Sequence, residues 1–104
     1  MQRIAFKMKL FKGYEAEYKK RHDEIPDDLK NLLKQQGIAD YSIFFDEETN
    51  SLFAYLTIEN TKNLEALSHE PIMKKWWNYM KDIMETNEDG SPVVVELKEV
   101  FNLQ

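Results

Sequence analysis

The sequence predicts an α+β fold built in the order β-α-β-β-α-β. Three observations carry this prediction: an opening segment of alternating apolar residues, two adjacent β-rich runs joined by a polar turn, and helical regions after the first and third strands. The 104 residues are enough for a single modest core. We therefore assign the whole range 1–104 to one domain.

The first half of the chain is predicted to form a strand and a broken helix. Residues 3–10 alternate between apolar and mostly polar side chains, which is typical of a half-buried strand. The helical pattern over 14–36 contains Pro26, which lacks a backbone donor and disfavours helix at the residue before it. One helix should therefore end near residues 22–23, and a second should begin with Pro26 in its first turn and end at Gly37.

The second half is predicted to form a hairpin, a helical region and a final strand. Residues 41–45 and 52–58 are β-rich and are joined by a short polar turn. Pro71 opens a helix that runs to about Met84, and residues 93–101 follow a Gly-Ser-Pro loop as the fourth strand. This order is that of the ferredoxin-like fold, in which the helices cover one face of an antiparallel sheet.

A sheet covered on one face only must hide its other face. The alternation predicts that Phe53, Tyr55, Val94 and Val100 project onto that open face. A second copy of the chain is the simplest cover for such a surface, so we expect a homodimer.

Composition excludes several classes of function. The net charge is −5 and the basic residues are scattered, so we expect no nucleic-acid partner. The chain has no cysteine, which excludes disulfides and thiolate chemistry and fits the cytoplasm. We find no signal peptide, membrane span or Gly-rich phosphate loop, and the only two histidines lack a zinc-binding spacing, so no metal site is expected.

The only two tryptophans of the chain, Trp76 and Trp77, are adjacent. Neighbouring side chains on a helix point about 100° apart, so we expect one indole to pack in the core and the other to line a cavity. Flat apolar rings with a polar N–H edge suit a sugar. The alternative interpretation is that both rings fill the core.

His22 is the candidate catalytic residue because an imidazole exchanges protons near neutral pH. Tyr14, Tyr18 and His22 are spaced four apart and share one face of the first helix. That polar-aromatic face suits a hydroxylated ligand better than a core. The alternative is that His22 is a helix-end cation favoured by the helix dipole. His69 is predicted to be a linker residue without a role.

An ordered set of short motifs resembles the L-rhamnose mutarotase family from end to end. These motifs are Arg3-Ile4-Ala5-Phe6, Arg21-His22-x-x-Ile25, residues 41–46, residues 76–80, Ser91-Pro92-Val93 and residues 97–101. The resemblance implies a cytoplasmic, dimeric α/β barrel of ferredoxin-like subunits without metal or cofactor. It further implies interconversion of the α and β anomers of L-rhamnose.

Carried over residue by residue, the resemblance implies specific roles. The acid of the family corresponds to His22, and its sugar-binding residues correspond to Tyr18, Tyr41 and the pair Trp76–Trp77. One segment departs from the pattern: the family usually has Ile-Trp-Pro after the histidine, whereas this chain has Ile25-Pro26-Asp27.

Anomer exchange opens and recloses the sugar ring, so protons must be both removed and supplied. An imidazole with a pKa of about 6.5 does both at ambient pH. The sequence leaves open whether the partner base is a tyrosine, a carboxylate or a bound water. It also leaves two other functions open: a monooxygenase of the same barrel type acting on haem or a quinone-like aromatic, and a barrel that binds small molecules without catalysis.

Overall fold

The computed structural model describes residues 1–103, and Gln104, the last residue of the predicted domain, lies outside the described residues. The elements are β1 (Gln2–Lys9), α1 (Glu15–Asp23), α2 (Asp27–Gln35), β2 (Ile38–Asp46), β3 (Ser51–Ile58), α3 (Lys62–Ser68), α4 (Pro71–Met80) and β4 (Val95–Leu97). The predicted order is confirmed, with two helices at each helical position. Among these helices, none is long and apolar enough to cross a membrane.

The four strands form one antiparallel sheet in the order β2-β3-β1-β4. The two sequence-adjacent strands β2 and β3 form the predicted hairpin, and β1 lies between β3 and β4. This is the ferredoxin-like arrangement.

The break between α1 and α2 lies where the proline predicts it. α1 ends at Asp23, and Pro26 adopts an extended ψ of 140° immediately before α2 begins at Asp27. The missing N–H of proline costs nothing at this boundary, since the first donors of a helix lack helical partners. The break leaves His22 in the last turn of α1.

The helix side of the sheet carries the core. The buried alternate residues of β3 are Leu52, Ala54, Leu56 and Ile58. In the β2–β3 ladder Tyr41 is opposite Leu56, and opposed residues project to the same face. The pairing therefore places Tyr41 on the helix side, although it lies on an edge strand.

The predicted end of the last helix at Met84 is wrong, because α4 ends at Met80. The chain then returns alongside the end of β1, where the Phe11 N–H donates to the Ile83 carbonyl at 2.9 Å. Ile83 continues the apolar stripe of α4 and is fully buried. Ile83 is buried by this strand-like pairing and not by a further turn of helix. The spacing of apolar residues in the sequence is the same in both cases.

The predicted fourth strand over 93–101 is too long, because only Val95–Leu97 pairs as a strand. Before this strand, the Val93 N–H donates to the Glu85 carbonyl at 3.2 Å instead of joining the sheet. After it, residues 98–103 form no strand pairing within the chain. An alternating apolar pattern forms a strand only where a partner strand lies beside it.

The open face of the sheet carries a set of apolar side chains, namely Phe44, Phe53, Tyr55, Val95 and Leu97. Phe53 and Tyr55 lie there as predicted. The pairing of Val95 with Lys7 shows that the prediction for Val94 is wrong by one residue, since Val94 projects to the helix side. Val100 lies beyond the strand altogether.

Candidate active site

A cavity of about 200 Å³ lies between the helix side of the sheet and the helices. Every residue predicted for the site lines this first cavity: Tyr18, His22, Tyr41, Trp76 and Trp77. A second cavity of about 550 Å³ shares all of them except Trp77. Sites for drug-sized ligands span roughly 300–1,000 Å³, so the first cavity suits a smaller molecule. Neither Tyr14 nor His69 lines either cavity.

His22 is held between two aromatic rings. Its imidazole stacks on Tyr18 with centroids 4.2 Å apart and meets the indole of Trp76 edge-on at 5.2 Å. Both partners are fixed by helices, since Tyr18 precedes His22 by one turn of α1 and Trp76 lies on α4. The ring orientation is therefore set by two elements that are distant in sequence.

A single hydrogen bond fixes the tautomer of His22. Nδ1 lies 2.9 Å from the backbone oxygen of Tyr18, and a carbonyl oxygen only accepts hydrogen bonds. Nδ1 therefore carries the proton, and Nε2 of the neutral ring holds a free lone pair. Within residues 1–103 no side chain or backbone group binds Nε2.

Burial lowers the pKa of His22 below its usual value, and the hydrogen bond to Tyr18 opposes that effect only in part. The ring is therefore neutral at neutral pH, with a lone pair available at Nε2. A helix-end cation requires the opposite environment, one that favours the charged form.

The two tyrosines present neutral hydroxyl groups. Burial raises the pKa of Tyr18 above its usual range and that of Tyr41 to about 12. Tyr41 remains 39% exposed, so its side chain is accessible from solvent. Neither hydroxyl has a hydrogen-bond partner in the described part of the chain, and that of Tyr18 is not sealed from solvent. Both are free to bind a ligand.

Both tryptophans line the first cavity, and neither is fully buried. The expected division is confirmed in part: Trp77 lines the cavity without packing against a core cluster, whereas Trp76 lines the cavity and also contacts the core. The alternative in which both rings fill the core is wrong. Trp76 has two roles, because it also packs against the buried cluster that contains Met8 and Met80. The indole N–H groups donate to no protein acceptor among residues 1–103 and are not sealed from solvent.

The remaining lining of the first cavity is mostly apolar, with Ser68 and Thr86 as further hydroxyl groups. No carboxylate, lysine or arginine lines it in the described residues, so His22 is its one side chain that titrates near neutrality. Sequence reasoning missed Ser68, Thr86 and Val94, since nothing in their local pattern indicates a cavity. In residues 1–103 no three His, Asp or Glu side chains are grouped to hold a metal ion.

Comparison with known proteins identifies close relatives. The family model described as L-rhamnose mutarotase matches residues 3–103. A protein named L-rhamnose mutarotase from Clostridium beijerinckii is 55% identical over 100 residues, covering 96% of each chain. The crystal structure of an L-rhamnose mutarotase from Formosa agariphila matches with a TM-score of 0.93 and 49% identity over 100% of both chains.

More distant structures share the fold alone. A putative antibiotic biosynthesis monooxygenase from Nitrosomonas europaea matches with a TM-score of 0.64 and 10% identity, covering 95% of this chain and 89% of that one. Fold likeness does not carry function, so the monooxygenase alternative has no support from the residues of the site.

Proposed function

The chain belongs to the L-rhamnose mutarotase family, and from that premise we propose that it interconverts the α and β anomers of L-rhamnose with His22 as its proton-transfer residue. Such an enzyme is an isomerase. Its substrate is a small neutral monosaccharide, which agrees with a first cavity lined by hydroxyl groups and aromatic rings without fixed charge.

Anomer exchange moves one proton between two oxygens on the same carbon. Ring opening breaks the bond between the anomeric carbon and the ring oxygen. The anomeric hydroxyl loses its proton and becomes a carbonyl, while the ring oxygen gains a proton. Rotation about the adjacent carbon–carbon bond presents the other carbonyl face, and the same steps in reverse close the ring. The reaction needs no electron transfer.

Nε2 of His22 serves both halves of this proton transfer. The neutral ring accepts the proton of the anomeric hydroxyl, and the resulting imidazolium gives it to the ring oxygen. Burial lowers the pKa of His22, so the proton is readily passed on. The acid role implied by the resemblance is then the second half of one shuttle, and no separate partner base is required.

One observation supports this assignment above the others. Among the described residues that line the first cavity, His22 alone titrates near neutrality, and its Nε2 is free. A positioned acid–base group typically contributes about 10²–10⁴-fold. Since sugars already mutarotate in water, a contribution of this size is useful.

The aromatic residues bind the sugar in this proposal. The indoles of Trp76 and Trp77 offer flat faces to its C–H groups, and their N–H groups remain available for its hydroxyls. Tyr18 and Tyr41 add neutral hydroxyls that donate or accept hydrogen bonds. These unpaired polar atoms in an otherwise apolar lining match a ligand with apolar faces and a polar rim.

The working form of the enzyme is a homodimer in the cytoplasm in this proposal. The open face of the sheet carries several apolar side chains beside Lys7, and Phe44 on it is 67% exposed in the single chain. A second copy covers such a face without a further partner. A chain without cysteine is suited to a reducing compartment.

Saturation-transfer NMR on L-rhamnose tests the proposed role of His22. We expect His22→Gln to keep the fold and lower anomer exchange by about 10²–10⁴-fold. His69→Gln is the matched control, because His69 is an exposed histidine that lines neither cavity. Unchanged exchange in His22→Gln would exclude the assigned role.

A further inference from the structure

Arg21, the residue before His22, is buried although its sequence surroundings indicate exposure. It follows Lys19 and Lys20, and such a basic run on a helix is usually solvated. Only 9% of its surface is exposed, and it is the one buried charged residue in the described part of the chain. A buried guanidinium needs a full set of partners to offset its desolvation.

The partners of Arg21 come from two different elements. Within α1, Nε donates to Glu17 at 2.7 Å. Beyond α4, the two terminal nitrogens donate to the two carboxylate oxygens of Asp82 at 2.8 and 3.2 Å. The first of these nitrogens also donates to the backbone oxygen of Tyr79 at 2.7 Å. That carbonyl lies in the last turn of α4, where helical carbonyls lack helical partners and attract cations.

The ring of Tyr79 connects these contacts to the candidate active site. The guanidinium carbon of Arg21 lies 4.3 Å from the centroid of this ring, and the ring in turn packs on Trp76 at 5.9 Å. Trp76 meets the edge of His22, which is the chain neighbour of Arg21. The contacts therefore form a closed circuit from Arg21 through Tyr79 and Trp76 back to α1.

The geometry points to Arg21 as the positioning residue for His22: it fixes α1 on the end of α4, so that the imidazole stays at the edge of Trp76. All hydrogen bonds between α1 and residues 71–82 come from Arg21. Without them, the two helices still contact each other through aromatic rings, but these rings set no unique orientation. An effect of Arg21 on anomer exchange rests on the proposed function, whereas its effect on the position of the His22 ring does not.

The arrangement requires arginine in particular. A guanidinium binds a carboxylate with two parallel hydrogen bonds and stacks on an aromatic ring at the same time. A lysine ammonium is a single point and does not reproduce this geometry. The hydrogen bond from Arg21 also lowers the pKa of Asp82, which keeps the partner carboxylate ionised under mildly acidic conditions.

Arg21→Met tests the inference, because methionine keeps much of the side-chain length and removes every polar contact. We expect kcat for anomer exchange to fall by about 10–100-fold, as small displacements of a catalytic group do, with KM changed less than about threefold. Arg21→Lys keeps the charge and should recover only part of this loss. The matched control is Lys20→Met, which removes an exposed cation of the same helix that lines neither cavity.

The proton resonances of the His22 ring provide a readout that is independent of activity. They lie in the ring currents of Tyr18 and Trp76, so they should shift in Arg21→Met and stay unchanged in Lys20→Met. A variant that loses thermal stability but keeps both its kcat and these resonances would overturn the inference. Because the resonances do not depend on turnover, they test the positioning even if His22→Gln retains activity.

Asp82→Asn provides a second variant in case Arg21→Met does not fold. Asp82 is 64% exposed, so the side-chain amide of the substituted asparagine stays in contact with solvent. It weakens the two-pronged contact with Arg21 and leaves the Tyr79 carbonyl contact in place. We expect the same changes in kcat and in the His22 resonances at smaller amplitude. The absence of both changes would refute the positioning role.

Discussion

His22 and Tyr18 contact each other through both ring and backbone. Their rings stack at 4.2 Å, and Nδ1 of His22 donates to the backbone oxygen of Tyr18 at 2.9 Å. Tyr18 thus fixes the tautomer of His22 and leaves Nε2 free, and it shares with Trp76 the contacts that orient the imidazole. The i, i+4 spacing on α1 is sufficient to create this arrangement, since residues four apart lie one above the other on a helix.

The pH dependence of catalysis follows from the buried state of His22. Protonated His22 has no lone pair at Nε2, so the base is active only above the pKa of the ring. Burial lowers that pKa, and we expect kcat/KM to rise with pH through an apparent pKa below about 6.5 and to level off above it. Saturation-transfer NMR with the spontaneous rate subtracted measures the profile. A rate that falls as pH rises through this range would assign the active form to the cation instead.

The hydroxyl groups of the two cavity tyrosines should contribute to sugar binding and not to folding. Tyr18→Phe and Tyr41→Phe each remove a hydroxyl without a protein partner, so stability should stay within about 0.5 kcal/mol. A lost hydrogen bond of about 0.5–1.5 kcal/mol should raise KM by roughly 2–10-fold.

The matched control for these two variants is Tyr14→Phe. Tyr14 immediately precedes α1, is 42% exposed and lines neither cavity. An equal rise in KM for all three variants would contradict the assignment of the cavity hydroxyls to the sugar.

Replacing the tryptophans separately should distinguish their two roles. Trp76→Ala removes packing from the cluster around Met80 as well as a cavity wall, so we expect a stability loss of about 3 kcal/mol together with weaker binding. Trp77→Ala should weaken binding with a loss of about 1 kcal/mol. Chemical denaturation and the NMR exchange assay measure the two effects. Equal stability losses would indicate that Trp76 carries no additional core contacts.

Much of the candidate site could be predicted because its residues obey local rules. The spacing of Tyr18 and His22 places them on one face of a helix. Tyr41 is implied as a site residue only by the family resemblance, and the alternation in β2 accounts for its place on the helix side. Pro26 ends α1 at the required position without reference to the rest of the chain. Each of these features depends on residues within about one turn of helix or one length of strand.

The features that could not be predicted depend on contacts between distant residues. The partner of Arg21 is Asp82, 61 residues further along the chain, and no local pattern connects the two. α4 ends where the following residues pair with the end of β1. The length of β4 is set by the residues that pair with β1. In each case tertiary contact overrides the local pattern.

The open face of the sheet should control the association of the chain. Phe44 is exposed, and its neighbour across the ladder is Phe53, so Phe44→Glu places a charge beside an aromatic ring on the open face. If two copies pack through this face, burying that charge without a partner costs several kcal/mol, and the variant should sediment as a monomer at micromolar concentration. Phe11→Glu is the matched control, because Phe11 is 42% exposed in the turn that follows β1. A wild-type chain that sediments at 12.4 kDa under the same conditions would refute the homodimer directly.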